Sequence, residues 1–312
     1  QPVEVDEFRI GVAETYDVIV EPNTQKQPYA IFAQAIDRSG YAIGSLTAES
    51  SQLASAPEMD PYPILTMTDM GMEHAAHTMN SESKMNSTEH SKHTMSNMDN
   101  MKPQKTPPAM TNKMKHAGHT MATMQNHSKP MSDPMDMNPK LPQIEVPRKE
   151  GPQIDMRAKA PKYRLDDPGV GLRDNGRKVL TYADLKNLYS TQHEPKPTKE
   201  LVLHLTGNME RYMWSIDGIT YDEAPPLEFN YGERIRITFI NDTMMNHPMH
   251  LHGVWSDLET GDENYIPRKH TIVVQPGAKI SYRVTMDARG DWAFHCHMLY
   301  HMMGMFRRVH IR

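Results

Sequence analysis

Histidine, cysteine and methionine crowd together near the end of this chain, as His295, Cys296, His297, His301 and Met305. Cys296 is the only cysteine among 312 residues that include 17 histidines and 27 methionines. A lone buried cysteine is ordinarily a small hydrophobe. One that sits between two histidines, with a third five residues on, reads instead as a metal ligand. Thiolate, two imidazoles and a weak thioether form the ligand set of an electron-transfer copper.

A second cluster, His247, His250 and His252, precedes it in the stretch HPMHLHG. In extended backbone, residues two apart point to the same side. His250 and His252 can therefore face one metal cluster, as can His295 and His297, while Cys296 points the other way. His247, in the preceding loop, can swing to the thiolate side. One strand thus offers imidazoles on one face and a thiolate on the other.

Strands must hold these residues. From 199 to 312, apolar and polar residues alternate: Leu201, Leu203 and Leu205; Ile235, Ile237 and Phe239; Ile280, Tyr282 and Val284. Turn signals at Thr206-Gly207-Asn208, Asp217-Gly218, Tyr231-Gly232 and Pro276-Gly277 separate them. Short strands with regular turns predict an all-β antiparallel sandwich or Greek-key barrel. Residues 1–50 also read as β, with strands over 8–20, 29–36 and 41–46 and a hairpin turn at 37–40. Three strands leave sheet edges open, so this segment resembles the end of a larger sandwich. Residues 163–198 form a connecting segment with a short helix capped by Thr181 and Asp184.

Between them, over 51–162, periodicity disappears. Residues 67–137 carry 15 of the 27 methionines. A motif recurs there: His74, His77 and Met79; His90, His93 and Met95; His116, His119 and Met121. Such a polar stretch predicts a disordered insert. Thioethers suit Cu(I), and imidazoles suit either copper ion, so these nine residues are candidate weak copper sites, set against the alternative of a plain tether.

Composition narrows the remaining classes. Net charge is -5 with a pI near 6.4, which gives nucleic acid no basic surface. One cysteine excludes an intramolecular disulfide framework. No apolar run reaches the roughly 18–20 residues of a membrane span. Gln1 opens directly onto strand-like sequence, as the start of a mature or truncated piece would.

HPMHLHG and HCHMLYH resemble the copper motifs of the multicopper oxidases. FRIGVAETYDVIVEP, LDDPGVGLRDNGRKVLTYADL, HGVWSDLE and the methionine-rich insert resemble the copper-resistance A branch of that family. The resemblance implies a cupredoxin-like fold, with 1–50 ending one cupredoxin domain and 199–312 forming a complete one. It implies a type 1 copper on His247, Cys296 and His301, with Met305 as axial ligand. It also implies a type 2 copper on His250 and a type 3 pair on His252, His295 and His297. The usual axial position, ten residues after the cysteine, is Phe306 here, and Met305 comes one residue early. Where relatives carry acidic residues after the last histidine, this chain has Met302 and Met303, which leaves no assignable proton donor.

The implied chemistry is periplasmic oxidation of Cu(I), with phenols as a further substrate class, coupled through Cys296, His295 and His297 to reduction of O2 to water. The family's three-copper cluster takes eight histidines, half of them from two further HxH motifs that this sequence does not contain. The chain is therefore expected to need an N-terminal cupredoxin region and to be inactive alone as an oxidase. Two other readings stand beside this one: a copper-sequestering protein with little turnover, and a type 1 electron carrier. Trp255, Asp257 and Glu259 mark either a surface loop or a docking edge for Cu(I). Arg307 and Arg308 read as ordinary strand-surface charge.

Overall fold

The computed structural model describes residues 2–23, 27–72 and 140–312. Residues 1–74 and 132–312 belong to one compact unit, and a second, 75–131, lies outside the described residues.

In chain order the strands are β1 (Glu7–Phe8), β2 (Tyr29–Gln34), β3 (Tyr41–Leu46), β4 (Val179–Leu180), β5 (Lys199–Asn208), β6 (Met213–Ile216), β7 (Leu227–Phe229), β8 (Arg234–Asn241), β9 (His247–Leu251), β10 (Ser256–Leu258), β11 (Arg268–Lys269), β12 (Thr271–Val274), β13 (Lys279–Thr285), β14 (Gly290–Cys296) and β15 (Phe306–Ile311). A six-stranded sheet, β11-β10-β13-β8-β5-β6, faces a five-stranded one, β12-β9-β14-β15-β7. Neighbours distant in sequence make the crossovers of a Greek-key sandwich; two of these pairs, β5 with β8 and β15 with β7, are parallel where the sequence pattern suggested antiparallel pairing, because a long connection and not a hairpin joins them.

The alternating residues fill the space between the sheets. Leu201, Leu203, Leu205, Ile235, Ile237, Phe239, Val284 and Val309 are all fully buried there. Burying such a side chain contributes about 1.5–3 kcal/mol, so this layer fixes which face of each strand turns inward. A one-residue slip of β9 or β14 would bring the wrong ligands inside.

Residues 8–20 differ from expectation. Their β-rich composition forms a strand only at Glu7–Phe8, which pairs with β4. Beyond Phe8 a carboxylate anchors the segment instead. Buried Glu14 accepts hydrogen bonds from Gly11 N, Tyr16 and Tyr182 and pairs with Lys269 at 2.9 Å. Strand-forming residues need a partner strand, and Val18, Ile19 and Val20 have none among the described residues and stand exposed. The β2–β3 hairpin forms as expected, closed by a bond from Ala35 N to Gly40 O. The helix expected at Thr181 is a single 3-10 turn, Tyr182–Asp184, with Asp184 accepting from Thr181 N and Oγ1 at 2.8 Å.

The flanks of the insert are fastened to the body. Ile144 N donates to Glu200 O, and Arg164 and Arg173 both pair with buried Asp69. These contacts join residues far apart in sequence, which periodicity does not register.

Candidate metal centre

β9 and β14 are antiparallel neighbours, with Cys296 opposite Met249 and His295 opposite His250. Alternation then sorts the candidate ligands. His247, Met249 and Leu251 share the inner face with Phe294 and Cys296, all buried. His250 and His252 share the outer face with His295 and His297. His247 reaches the thiolate by strand parity, as the first residue of β9, and not by a swinging loop.

On the inner face, Cys296 Sγ lies 3.7 Å from His247 Nδ1 and 3.8 Å from His301 Nδ1, and the two nitrogens are 3.2 Å apart. Three ligands at about 2.0–2.3 Å from one ion, spread in a plane, stand about 3.6–3.8 Å apart. The two sulfur–nitrogen distances match, and the nitrogens are slightly closer. The donor set fits a soft metal ion such as copper. Burial pushes the Cys296 thiol up to about 12 and His301 down to about 4, and holds His247 well below its usual value. The metal-free pocket is therefore neutral, with both imidazoles ready to donate lone pairs.

Backbone and side-chain contacts fix this geometry. Cys296 N donates to Met305 O, Met305 N to His301 O and His301 N to Met298 O, so the ligand loop folds back on its own strand. His247 Nε2 lies 2.6 Å from Thr243 Oγ1, which donates to Asn241 Oδ1. Asn241 in turn donates to Met245 O and Val274 O. With Nε2–H committed to Thr243, Nδ1 is left to face the sulfur. Neither Thr243 nor Asn241 stands out in the sequence, because each works through the loop that precedes His247.

On the outer face, His252 Nε2 and His295 Nε2 face each other at 3.0 Å. The His250 ring centroid lies 4.6 Å from that of His252 and 5.7 Å from that of His297. His250 Nδ1–H donates to His270 O at 2.5 Å, and His295 Nδ1–H donates to Cys296 O at 3.0 Å. Both carbonyls select the tautomer whose Nε2 is free to ligate. Burial first, then neighbouring imidazoles, lowers the pKa of His252 and His297. His270, which the sequence motifs do not mark, thus supports this face. Phe306 stacks on His295 at 5.5 Å and 10°.

Residues 194–312 and residues 1–52 each match a multicopper oxidase family profile. The chain belongs to the multicopper oxidase family. It is similar to Copper resistance protein A of Escherichia coli, with 52% identity over 99% of this chain and 50% of the relative. Against the Copper resistance protein A homolog of Pseudomonas syringae pv. tomato, identity is 48% over 100% of this chain and 49% of the relative. The chain spans about half the length of these curated relatives. Among solved structures, it aligns with a blue copper oxidase from Nitrosomonas europaea at 21% identity, covering 37% of this chain and 44% of that one, with a TM-score of 0.33.

Multicopper oxidases use copper, and the inner pocket has the donors to hold it. Met305 is fully buried within the core beside this pocket. The nine insert residues His74, His77, Met79, His90, His93, Met95, His116, His119 and Met121 lie outside the described residues. No helix among the described residues is long and apolar enough to cross a membrane.

Two expectations near the site need correction. Asp257 and Glu259 form no docking edge or open loop. Asp257 pairs with Arg234 and Arg268, and Glu259 with Arg236 and Arg283, and both carboxylates are buried. Removing one partner of such a pair costs about 3–5 kcal/mol, so these groups hold the six-stranded sheet together. Trp255 alone remains exposed. Arg307 is not surface charge: it is buried and donates to Ile219 O at 3.0 Å and to Ile216 O. Burial lowers its pKa to about 10. Arg308 is exposed, as expected.

Proposed function

We propose that this chain is the electron-accepting part of a copper-resistance oxidase that oxidises Cu(I). The observation that supports this most is one pair of neighbouring strands, β9 and β14, that carries a buried thiolate site on one face and four imidazoles on the other. In this reading His247, Cys296 and His301 hold the type 1 copper, with Met305 as axial ligand. Phe306, the alternative at that position, is occupied by its stack on His295 across the sheet. His250 holds the type 2 copper, and His252, His295 and His297 contribute to the type 3 pair.

Bound copper supplies one-electron redox chemistry at the thiolate site and oxygen reduction at the cluster. The chain's own part is positional. Cys296 is covalently continuous with His295 and His297, so one short stretch of backbone joins the two sites. The sandwich core excludes water from the thiolate, and the carbonyls of His270 and Cys296 orient the outer imidazoles. Four more histidines must come from elsewhere to complete the cluster, consistent with a chain half the length of its relatives. The setting we infer is the periplasm, with the insert gathering copper weakly for the site.

Anaerobic loading of the 312-residue chain with Cu(II) should give one tightly held copper with an intense visible thiolate charge-transfer band. O2 consumption should stay at background until a region bearing two further HxH motifs is added. No such band, or full reduction of O2 to water by the isolated chain, would sink the reading. The exposure of His252 favours a second reading, sequestration. It predicts copper binding well above four ions with little O2 use, most of it lost on deleting residues 67–137.

A further inference from the structure

The thiolate pocket is sealed. His247 is fully buried and His301 is 1% exposed, so a donor in solution touches neither imidazole. One indole lies against both. Trp214, in β6, stacks on His301 with centroids 3.8 Å apart and planes 20° apart, and meets His247 edge-on at 5.4 Å. Trp214 Nε1 and His301 Nε2 are buried with no hydrogen-bond partner among the described residues, so no hydrogen bond from either atom competes with the stack. The ligand loop is cut to fit it: a Cβ on Gly304 would stand 1.8 Å from Trp214 O, and one on Gly207 would stand 2.7 Å from the indole.

The aromatic contact continues outward. The Tyr212 ring meets Trp214 edge-on at 5.6 Å and 87° and lies 6.2 Å from the His301 ring. Trp214 is 3% exposed, whereas Tyr212 is 53% exposed. Tyr212 also has a φ of 50°, in the left-handed region that bulky residues rarely adopt. Strained backbone of this kind marks a position where the placement of the side chain matters.

We propose that Tyr212 and Trp214 are the route by which an electron from an outside one-electron reductant reaches the thiolate site. The inference rests on reading that site as an electron-transfer copper. The donor loses one electron and Cu(II) becomes Cu(I). Both rings end as they began, no proton moves and no bond forms or breaks. The donor class that fits is a small reductant able to approach a phenol edge, such as a Cu(I) complex.

The test is single-turnover. The full chain, loaded anaerobically with Cu(II), is mixed with ferrocyanide, and bleaching of the charge-transfer band is followed. Tyr212→Leu, a change at the surface, should leave the band's position and intensity intact. It should slow bleaching about tenfold or more, equivalent to about 1.4 kcal/mol on the barrier. Trp214→Phe should slow it too. A second readout needs no turnover: with Trp255 and Trp292 replaced by Phe, emission from Trp214 should be strongly quenched on Cu(II) loading. An intact band with unchanged bleaching in Tyr212→Leu, or unquenched emission, would overturn the route and leave the copper site standing. A wild-type chain with no band would overturn both.

Discussion

The inner face of β14 presents Cys296 to two imidazoles, all three at most 1% exposed, at distances already suited to one ion. The outer face presents His295 and His297 to His250 and His252, and there His252 is exposed. On the inner side, folding itself brings the ligands together, because His247 and Cys296 occupy core positions of paired strands. The outer side is less enclosed: His295 is buried, His250 and His297 are half-buried and His252 is exposed. The comparison teaches that a site made by a core is complete within one domain. A site made on a sheet's surface can be shared with another.

Replacing Cys296 with Ser is the most severe way to probe this difference. It should abolish the charge-transfer band and the tightly held copper while leaving binding at the four outer imidazoles unchanged. His252→Ala should do the reverse. Absorption and copper stoichiometry measure both, and a band that survived in Cys296→Ser could not come from a thiolate, because the chain has no other cysteine, and would overturn the assignment of the band.

A subtler change is Thr243→Val, which removes the partner of His247 Nε2 without touching a ligand. Loss of such a support typically weakens metal binding about 10–100-fold. Competition titration should show that drop at the inner site only. An unchanged affinity would mean the core alone positions His247.

The smallest effect is that of pH on the metal-free chain. His301, at about 4, and His247, lower than usual, resist protonation in the folded state. The unfolded chain binds those protons near pH 6.5. Below that value the unfolded state holds more protons, so stability falls as pH drops from about 6.5 towards 4. Urea midpoints over this window should decline, and copper loading should raise the midpoints while steepening the decline, because metal-bound imidazoles and thiolate carry no protons and the unfolded chain takes them up. A His301→Gln variant that declined as steeply as wild type would assign the effect to other groups.

Much of the site is legible in the chain because strand alternation has a fixed period. That period separates Cys296 from its flanking histidines and pairs His250 with His252. It also marks Ile235, Ile237 and Phe239 as core. It fails for residues 8–20, where β-rich composition finds no partner strand and Glu14 fastens the segment instead. It also misjudges Asp257, Glu259 and Arg307, charged residues whose burial depends on which distant carboxylates, guanidinium groups and carbonyls the fold brings beside them. Trp214, Tyr212 and His270 carry no ligand motif, and their parts emerge only from the hairpin and edge strand that place them beside the metal residues.

The sequence by itself therefore determined the types of the candidate ligands, the strand that joins them and the side on which each must lie, because these follow from local backbone geometry. Only the tertiary structure decided that one site closes fully and the other only in part, and that an indole covers His301. Enclosure depends on which surfaces long-range packing brings together.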